Sequence, residues 1–538
     1  MSWFLKRSDG GVRVPPAVIA AAVIAGVATA LVRYLGLEGF SNDHFQFLAA
    51  AQQMRLGEWP TRDFADPGMP LMYAASAAAQ VVFGHSLFAE AMLMAIVYGV
   101  TSALIVIAAW RASRSLIVAV LACVLCVIAF PLPASYPRAL LYALGPLAIW
   151  AWVRRPTGLR LFAMALLVSV AYLFRQEHGL HLGLAALVTV ALAPAATRVM
   201  KTRLVTLCVL ILLVLLPYAI YIQRSEGIFS AAWNSWQFSQ READRTELHL
   251  ATYGSGDAVR LYYLFQALPL IAAAIVVLDV RRGRHEDALM GAPLVVLAFL
   301  ANMNFLRDPL PVRLPDAIVP AALVAAWLAG RAWRVPSLPV RSIALTAAAV
   351  LMFVAASSVV VVGRTQENLA RTNLSLGLSS LPQLVRDRTA QLKARYDRQQ
   401  LPDGRILSLV GLFDYLDRCT TPSHRLLVAG NAPEIYVYAK RPFAAGHSTF
   451  LEGYYQSDSE QQQMLDRARQ QVVAFAVMLS DQESSFRSTA PGVSAFIDAN
   501  FRPLTEIPTN SDRTVRVMVR SGLPPLHADA ATGWPCYR

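Results

Sequence analysis

Long apolar runs broken by short basic clusters set the pattern of this chain from residue 14 to residue 363. About 18 or more consecutive apolar residues are what a helix needs to cross a bilayer. The runs predict eleven spans, at 15–36, 86–110, 115–133, 138–153, 159–174, 179–196, 204–223, 261–280, 288–306, 315–333 and 342–363. Basic residues gather in alternate connections: Lys6/Arg7/Arg13, Arg111/Arg114, Arg154/Arg155, Arg198/Lys201/Arg203, Arg281/Arg282/Arg284 and Arg331/Arg334/Arg341. Short cytoplasmic connections carry such an excess. The pattern therefore predicts a cytoplasmic N-terminus and extracytoplasmic segments at 37–85, 134–137, 175–178, 224–260, 307–314 and 364–538. The first apolar run is too long for the core of a cleaved signal and reads as a retained helix.

Beyond residue 363 the period changes. An amphipathic helix is expected over 405–418, buried strands at 425–430 and 472–479, and a helix near 459–471 between them. Residues 493–501 read as helix, 514–520 alternate as a strand should, and 366–400 read as helix or long connection. The expected fold is a polytopic α-helical membrane protein with about eleven transmembrane helices. Residues 1–363 form its membrane domain, with 37–85 as the first outer loop, and 364–538 an extracytoplasmic α/β domain.

Composition agrees. The chain is 56% hydrophobic and 15% charged, with a mean hydropathy of +0.44. Soluble proteins carry about 25% charged residues, so a soluble enzyme, a disordered chain and a fibre are excluded. A transmembrane barrel would read as short alternating strands instead. A formal charge of +13 would suggest nucleic acid in a soluble protein. Here the topology accounts for the basic residues, and no nucleic-acid partner is expected. Abundant alanine, with Lys6, Lys201, Lys393 and Lys440 as the only lysines, suggests a bacterial source and hence its inner membrane.

The first outer loop is the richest in chemistry. Its "SNDHFQFLAAAQQMRLGEWP" predicts a helix lying in the membrane interface, with Phe45, Phe47, Leu48, Met54 and Leu56 on its apolar face. Asp43 near its start is a candidate general base, or a helix cap. Arg62, Asp63 and Asp66 occupy the Pro/Gly-rich turn that follows. They either order the loop or meet an acceptor. A second, shorter helix over 71–83 is expected to stay outside the membrane.

The run Gly57, Pro60, Arg62, Asp63, Phe64, Pro67, Gly68, Pro70 and Leu71, with Asp43 before it and Phe83-Gly84 after it, resembles the first periplasmic loop of GT-C glycosyltransferases. The nearest branch is that of protein O-mannosyltransferases and aminoarabinose transferases. The resemblance covers roughly residues 10–365. Members often carry an acidic pair where this chain has Asn42-Asp43, which leaves one carboxylate at the motif. The resemblance implies a sugar donor on polyprenyl phosphate, transfer to an acceptor hydroxyl with inversion, and Asp43 as base. Donor and membrane lipids would be partners, and the acceptor a glycan, a lipid or a protein.

A leaving lipid phosphate calls for arginine or lysine. Arg175 and Glu177 in "FRQEHGLHLG", and Arg307 and Arg313 in "NFLRDPLPVRLPD", are the candidates. Polar residues so close to lipid default to functional candidates, against a plain reading as hairpin closure or interfacial anchoring. His178 and His181 lack the third and fourth ligands of a zinc site, so this pair gives no strong metal motif, and the sequence assigns no cofactor and leaves metal dependence open. Trp233, Trp236, Phe238, Tyr253, Tyr262 and Tyr263 in and beside the middle loop read first as a membrane belt and second as stacking surfaces for sugar rings or prenyl chains, and the loop's length suits a mobile cover over the donor site. Cys123 and Cys126 lie inside a span and read as core packing. Cys419 and Cys536 are the only cysteines of the outer domain, and an oxidising compartment predicts a disulfide between them. Rival readings are a polymerase or ligase of lipid-linked glycans, and a transporter. Neither paired or inverted halves nor broken midplane helices, the marks of a transporter, are evident, and the charges gather at the outer face rather than mid-span.

Overall fold

A computed structural model describes residues 14–37, 39–40, 42–244, 256–306, 313–394, 408–451, 457–509 and 513–538. Among the described residues, six helices are long and apolar enough to cross a membrane: Pro16–Leu35, Leu87–Ser113, Thr197–Ser225, Gly256–Arg281, Leu314–Trp333 and Leu338–Val362. The other five expected spans are also helices, at Leu116–Ile128, Tyr136–Arg154, Gly158–Phe174, Gln176–Leu192 and His285–Asn302. These are shorter or more polar. Pro16 and Pro70 start their helices at the position where a missing N–H costs nothing. Ser115 and Thr157 cap theirs by accepting backbone N–H bonds.

The helices pack through small residues. Pro16–Leu35 crosses Leu87–Ser113 where Gly26 faces Gly99. A Cβ on Gly26 would stand 2.9 Å from the Gly99 carbonyl oxygen, and one on Gly99 2.8 Å from that of Gly26. Lipid-embedded helices associate through such close backbone contact because apolar burial gives them little preference for each other over lipid.

Basic connections cluster at one end. Arg331 bonds Asp279 at 2.6 Å and Asp287 at 2.5 Å, and Arg334 bonds Asp287 at 3.0 Å. Arg154 lies in the field of Arg111, Arg114 and Arg160, and Arg203 stacks on Trp152. The other end holds the first loop and the C-terminal unit.

That unit carries a four-stranded sheet of β1 (Arg425–Ala429), β2 (Val473–Leu479), β3 (Phe501–Pro508) and β4 (Thr514–Arg520), in the order β1-β2-β4-β3. β1 and β2 are parallel and joined through the Asp458–Gln470 helix, as parallel strands require. β4 is antiparallel to both its neighbours. Alternate residues point to different cores. Leu426, Val428, Phe475, Val477, Val515 and Val517 join the core shared with the membrane helices. Leu427, Ala429, Ala476, Met478 and Met518 pack against helices Asp458–Gln470, Glu483–Thr489 and Pro491–Asn500. Cys419 and Cys536 are joined by a disulfide.

The first-loop helix, Asn42–Arg55, departs from the expected interfacial placement. Phe45 and Leu48 are buried, Phe45 against Tyr438 of the C-terminal unit. Gln52 donates to the carbonyls of Tyr436 at 3.3 Å and Arg441 at 2.9 Å, and Gln53 to that of Phe443 at 3.1 Å. Its apolar face meets protein rather than lipid because the C-terminal unit lies on it. Glu58 pairs with Arg425, and Ala65 N–H donates to Gly446 O at 3.0 Å.

Candidate functional site

Asp43 is exposed in the first turn of Asn42–Arg55, where a carboxylate also favours the positive end of the helix dipole. Its neighbour His44 is fully buried and hydrogen-bonds Glu90 at 2.8 Å; Ser76 donates to the same carboxylate oxygen at 3.1 Å. The pair pins the start of the helix to Leu87–Ser113, and Gln52 and Gln53 pin its end. Asp43 is thus exposed on a rigid support.

In the turn that follows, the structure places Arg62 and Asp63 together. Arg62 grips Asp63 with two nitrogens, at 2.6 Å and 2.9 Å at the closest. Asp63 also accepts from Trp59 N–H at 2.7 Å, and Arg62 donates to Gly57 O at 3.2 Å. Every one of these bonds lies within residues 57–63. Asp66 accepts from the N–H groups of Gly68 at 2.9 Å and Met69 at 2.8 Å and so closes the turn that leads into the Pro70–Phe83 helix. Burial pushes its carboxyl up to about 6, against the pull of those two bonds and of the Tyr73 hydroxyl. Gly68 has φ +97°, and its open side is filled by the Gln176 amide, 2.4 Å from where a Cβ would stand. The turn therefore rests on the segment that holds Arg175 and Glu177.

Those two residues belong to a charged knot centred on Arg138, which the sequence reading did not single out. Arg138 bonds Glu177 at 2.7 Å and Asp316 at 3.0 Å. Arg175 lies 3.4 Å from Glu177, and Arg313 lies 3.8 Å from Asp316. Arg138 and Asp316 are buried, with Arg175, Glu177 and Arg313 at the mouth. Helical spacing extends the knot inward. Tyr142, one turn after Arg138, lies 2.6 Å from Nδ1 of His181, which is one turn after Glu177. Three guanidinium groups, those of Arg138, Arg175 and Arg313, gather around the carboxylates of Glu177 and Asp316. Arg138 Nε and Asp316 Oδ1 have no hydrogen-bond partner among the described residues. Arg307 and, in the middle loop, Tyr253 lie outside the described residues.

The knot and Asp43 share one end of the molecule. The Asn42–Arg55 helix touches the Pro133–Ser135 turn, and Arg138 is the third residue of the helix that this turn starts. Tyr136 stands in the field of Glu90 and Tyr98, and Tyr98 in that of Arg138 and Asp316. A lone arginine in an apolar span was the available sign of Arg138. Its partners are 39 and 178 positions away, so no local motif announces it. Among the described residues no group of three or more His, Cys, Asp or Glu is arranged to hold a metal ion.

No family model matches the chain, and no curated protein does. Solved structures similar to it include the following two. One is ArnT from Cupriavidus metallidurans bound to undecaprenyl phosphate, at TM-score 0.49 and 14% identity, covering 94% of this chain and 98% of that one. The other is ArnT from the same organism in the apo state, at TM-score 0.46 and 15% identity, covering 92% and 97%.

Proposed function

We propose that this protein is a membrane glycosyltransferase of the GT-C type. It moves a sugar from a polyprenyl-phosphate donor to an acceptor hydroxyl at the extracytoplasmic face of a bacterial inner membrane. The observation that carries the reading is the gathering of Arg138, Arg175 and Arg313 around Glu177 and Asp316, at the end of the molecule that also holds Asp43. The glycosyltransferase-like first-loop motif supports it.

In this reading Asp43 takes the proton of the acceptor hydroxyl as its oxygen attacks the anomeric carbon. The bond from that carbon to the phosphate oxygen breaks on the opposite side, which inverts the centre. The phosphate leaves with one more negative charge than it carried as a diester. Arg175 and Arg313, at the mouth of the knot, meet that charge, and Arg138 behind them adds its field in a low-dielectric setting. Glu177 and Asp316 hold the guanidinium groups in place between turnovers. Arg62 and Asp63 keep the loop in shape, and Asp66 fixes its exit.

Transfer of labelled sugar from a panel of polyprenyl-phosphate sugars, measured in proteoliposomes, tests the proposal. Asp43→Asn keeps size and helix start but removes the base. A drop in kcat of about 10²–10⁴ is expected, with an unchanged thermal midpoint because the side chain is exposed. Near wild-type turnover by Asp43→Asn would remove Asp43 from the chemistry.

A further inference from the structure

Residues 228–244, within the middle loop, form an amphipathic helix, Ile228–Asp244. Phe229, Trp233 and Trp236 are 91%, 60% and 58% exposed. Their spacing of four and three residues puts them on one stripe. The opposite face is tied to the protein: Gln176 donates to Ser235 at 3.4 Å, and Arg241 pairs with Glu460 at 3.4 Å. The outward stripe is therefore held in place by contacts on the inward one.

We infer that this helix lies in the lipid–water interface, with Phe229, Trp233 and Trp236 seated among the lipid chains near the headgroups. The occupant follows from continuity. Only Glu226 and Gly227 separate the helix from Thr197–Ser225, a long apolar span. That span turns Val205, Leu212, Leu213, Leu216 and Ile220 outward, the side that lipid must cover. The stripe extends this surface where the span ends, and it does so with the bulky amphipathic rings that suit the interface. The other amphipathic helix of this end, Asn42–Arg55, has its apolar side covered by the C-terminal unit, and no such cover lies on Ile228–Asp244 among the described residues. The helix is then a strap. Lipid holds its outer face, while its inner face holds Gln176, beside Arg175, and the start of the Asp458–Gln470 helix.

The test uses the full chain in vesicles of phosphatidylcholine and phosphatidylglycerol. Cys208 is exposed and is replaced, Cys208→Ser, while Cys123 and Cys126 are buried and Cys419 and Cys536 are bonded. A polarity-sensitive fluorophore is attached in separate variants at Trp233→Cys, Phe229→Cys and, off the stripe, Asn234→Cys. Quenching is read with lipids bearing a nitroxide high on the acyl chain and with aqueous iodide. Quenching by the nitroxide lipid at 229 and 233 at least about threefold stronger than at 234, with the reverse order for iodide, is the expected result. Equal lipid quenching at all three positions would overturn the inference. So would blue-shifted emission at 233 without lipid quenching, which would put protein on the stripe.

Discussion

Asp66 is a carboxyl that folding keeps protonated to unusually high pH. An acid whose folded pKa is raised contributes stability that is complete below its ordinary value, 3.8, and is lost as pH climbs through about 6. Hydrogen-exchange protection of the Gly68 and Met69 amides, corrected for the chemical rate, should therefore fall between about pH 4 and about pH 7. Asp66→Asn still accepts both N–H bonds and should flatten that dependence; an unchanged slope would move the titration elsewhere. His44 and Glu90 make a second residue-scale case. Both are fully buried, so removing one strands the other. Glu90→Ala should cost about 2–4 kcal/mol. A double-mutant cycle with His44→Ala should show coupling above about 1 kcal/mol, and additive effects would reject the pair. Neither His44 nor Arg138 could be weighted from the sequence. A buried polar residue is recognised by its partner, and Glu90 is 46 positions from His44. The carboxylates in charged turns were easier to see, and in the structure Arg62 and Asp63 bond each other.

Among the elements, the crossing at Gly26 and Gly99 sets how closely two membrane helices approach. A methyl at either position meets a backbone carbonyl oxygen closer than a real Cβ sits, and a carbonyl cannot rotate aside as a side chain can. Gly26→Ala and Gly99→Ala should each cost about 1–3 kcal/mol, read as a lower thermal midpoint in detergent. Substitution at Gly158, where nothing stands within 4 Å, is the control. The helices themselves were legible because each apolar run is long and ends in charge. What touches them was less so. The Asn42–Arg55 helix carries the pattern of an interfacial helix, and its apolar side is instead met by Tyr438 and the backbone near Phe443, nearly 400 positions later. Of β3 only Phe501 is read from the sequence, as the end of the preceding helix, and 502–508 go unassigned, because "FRPLTEIP" holds two prolines and is mostly exposed. It is an edge strand, where proline costs no ladder bond.

At the scale of the whole molecule, two kinds of tie hold the C-terminal unit. The disulfide closes a loop of 117 positions within it. Cys536→Ser should lower the unit's stability by about 2–5 kcal/mol. Limited proteolysis should then cut residues 410–538 faster and leave the membrane helices at their wild-type rate. Equal cutting of both would mean that the two regions unfold together. The second tie is the sheet itself. One of its faces completes a core begun by the first loop and the membrane helices. This has a consequence for how such a chain can change over generations. The unit cannot be inherited as an interchangeable cassette. A recombinant that imports a foreign version of residues 410–538 keeps a bed shaped for another sheet, with Gln52, Gln53 and Glu58 aimed at carbonyls and an arginine that have moved. Exchange becomes tolerable only when residues 42–68 travel with it, so these two distant stretches of sequence should descend as one linked unit.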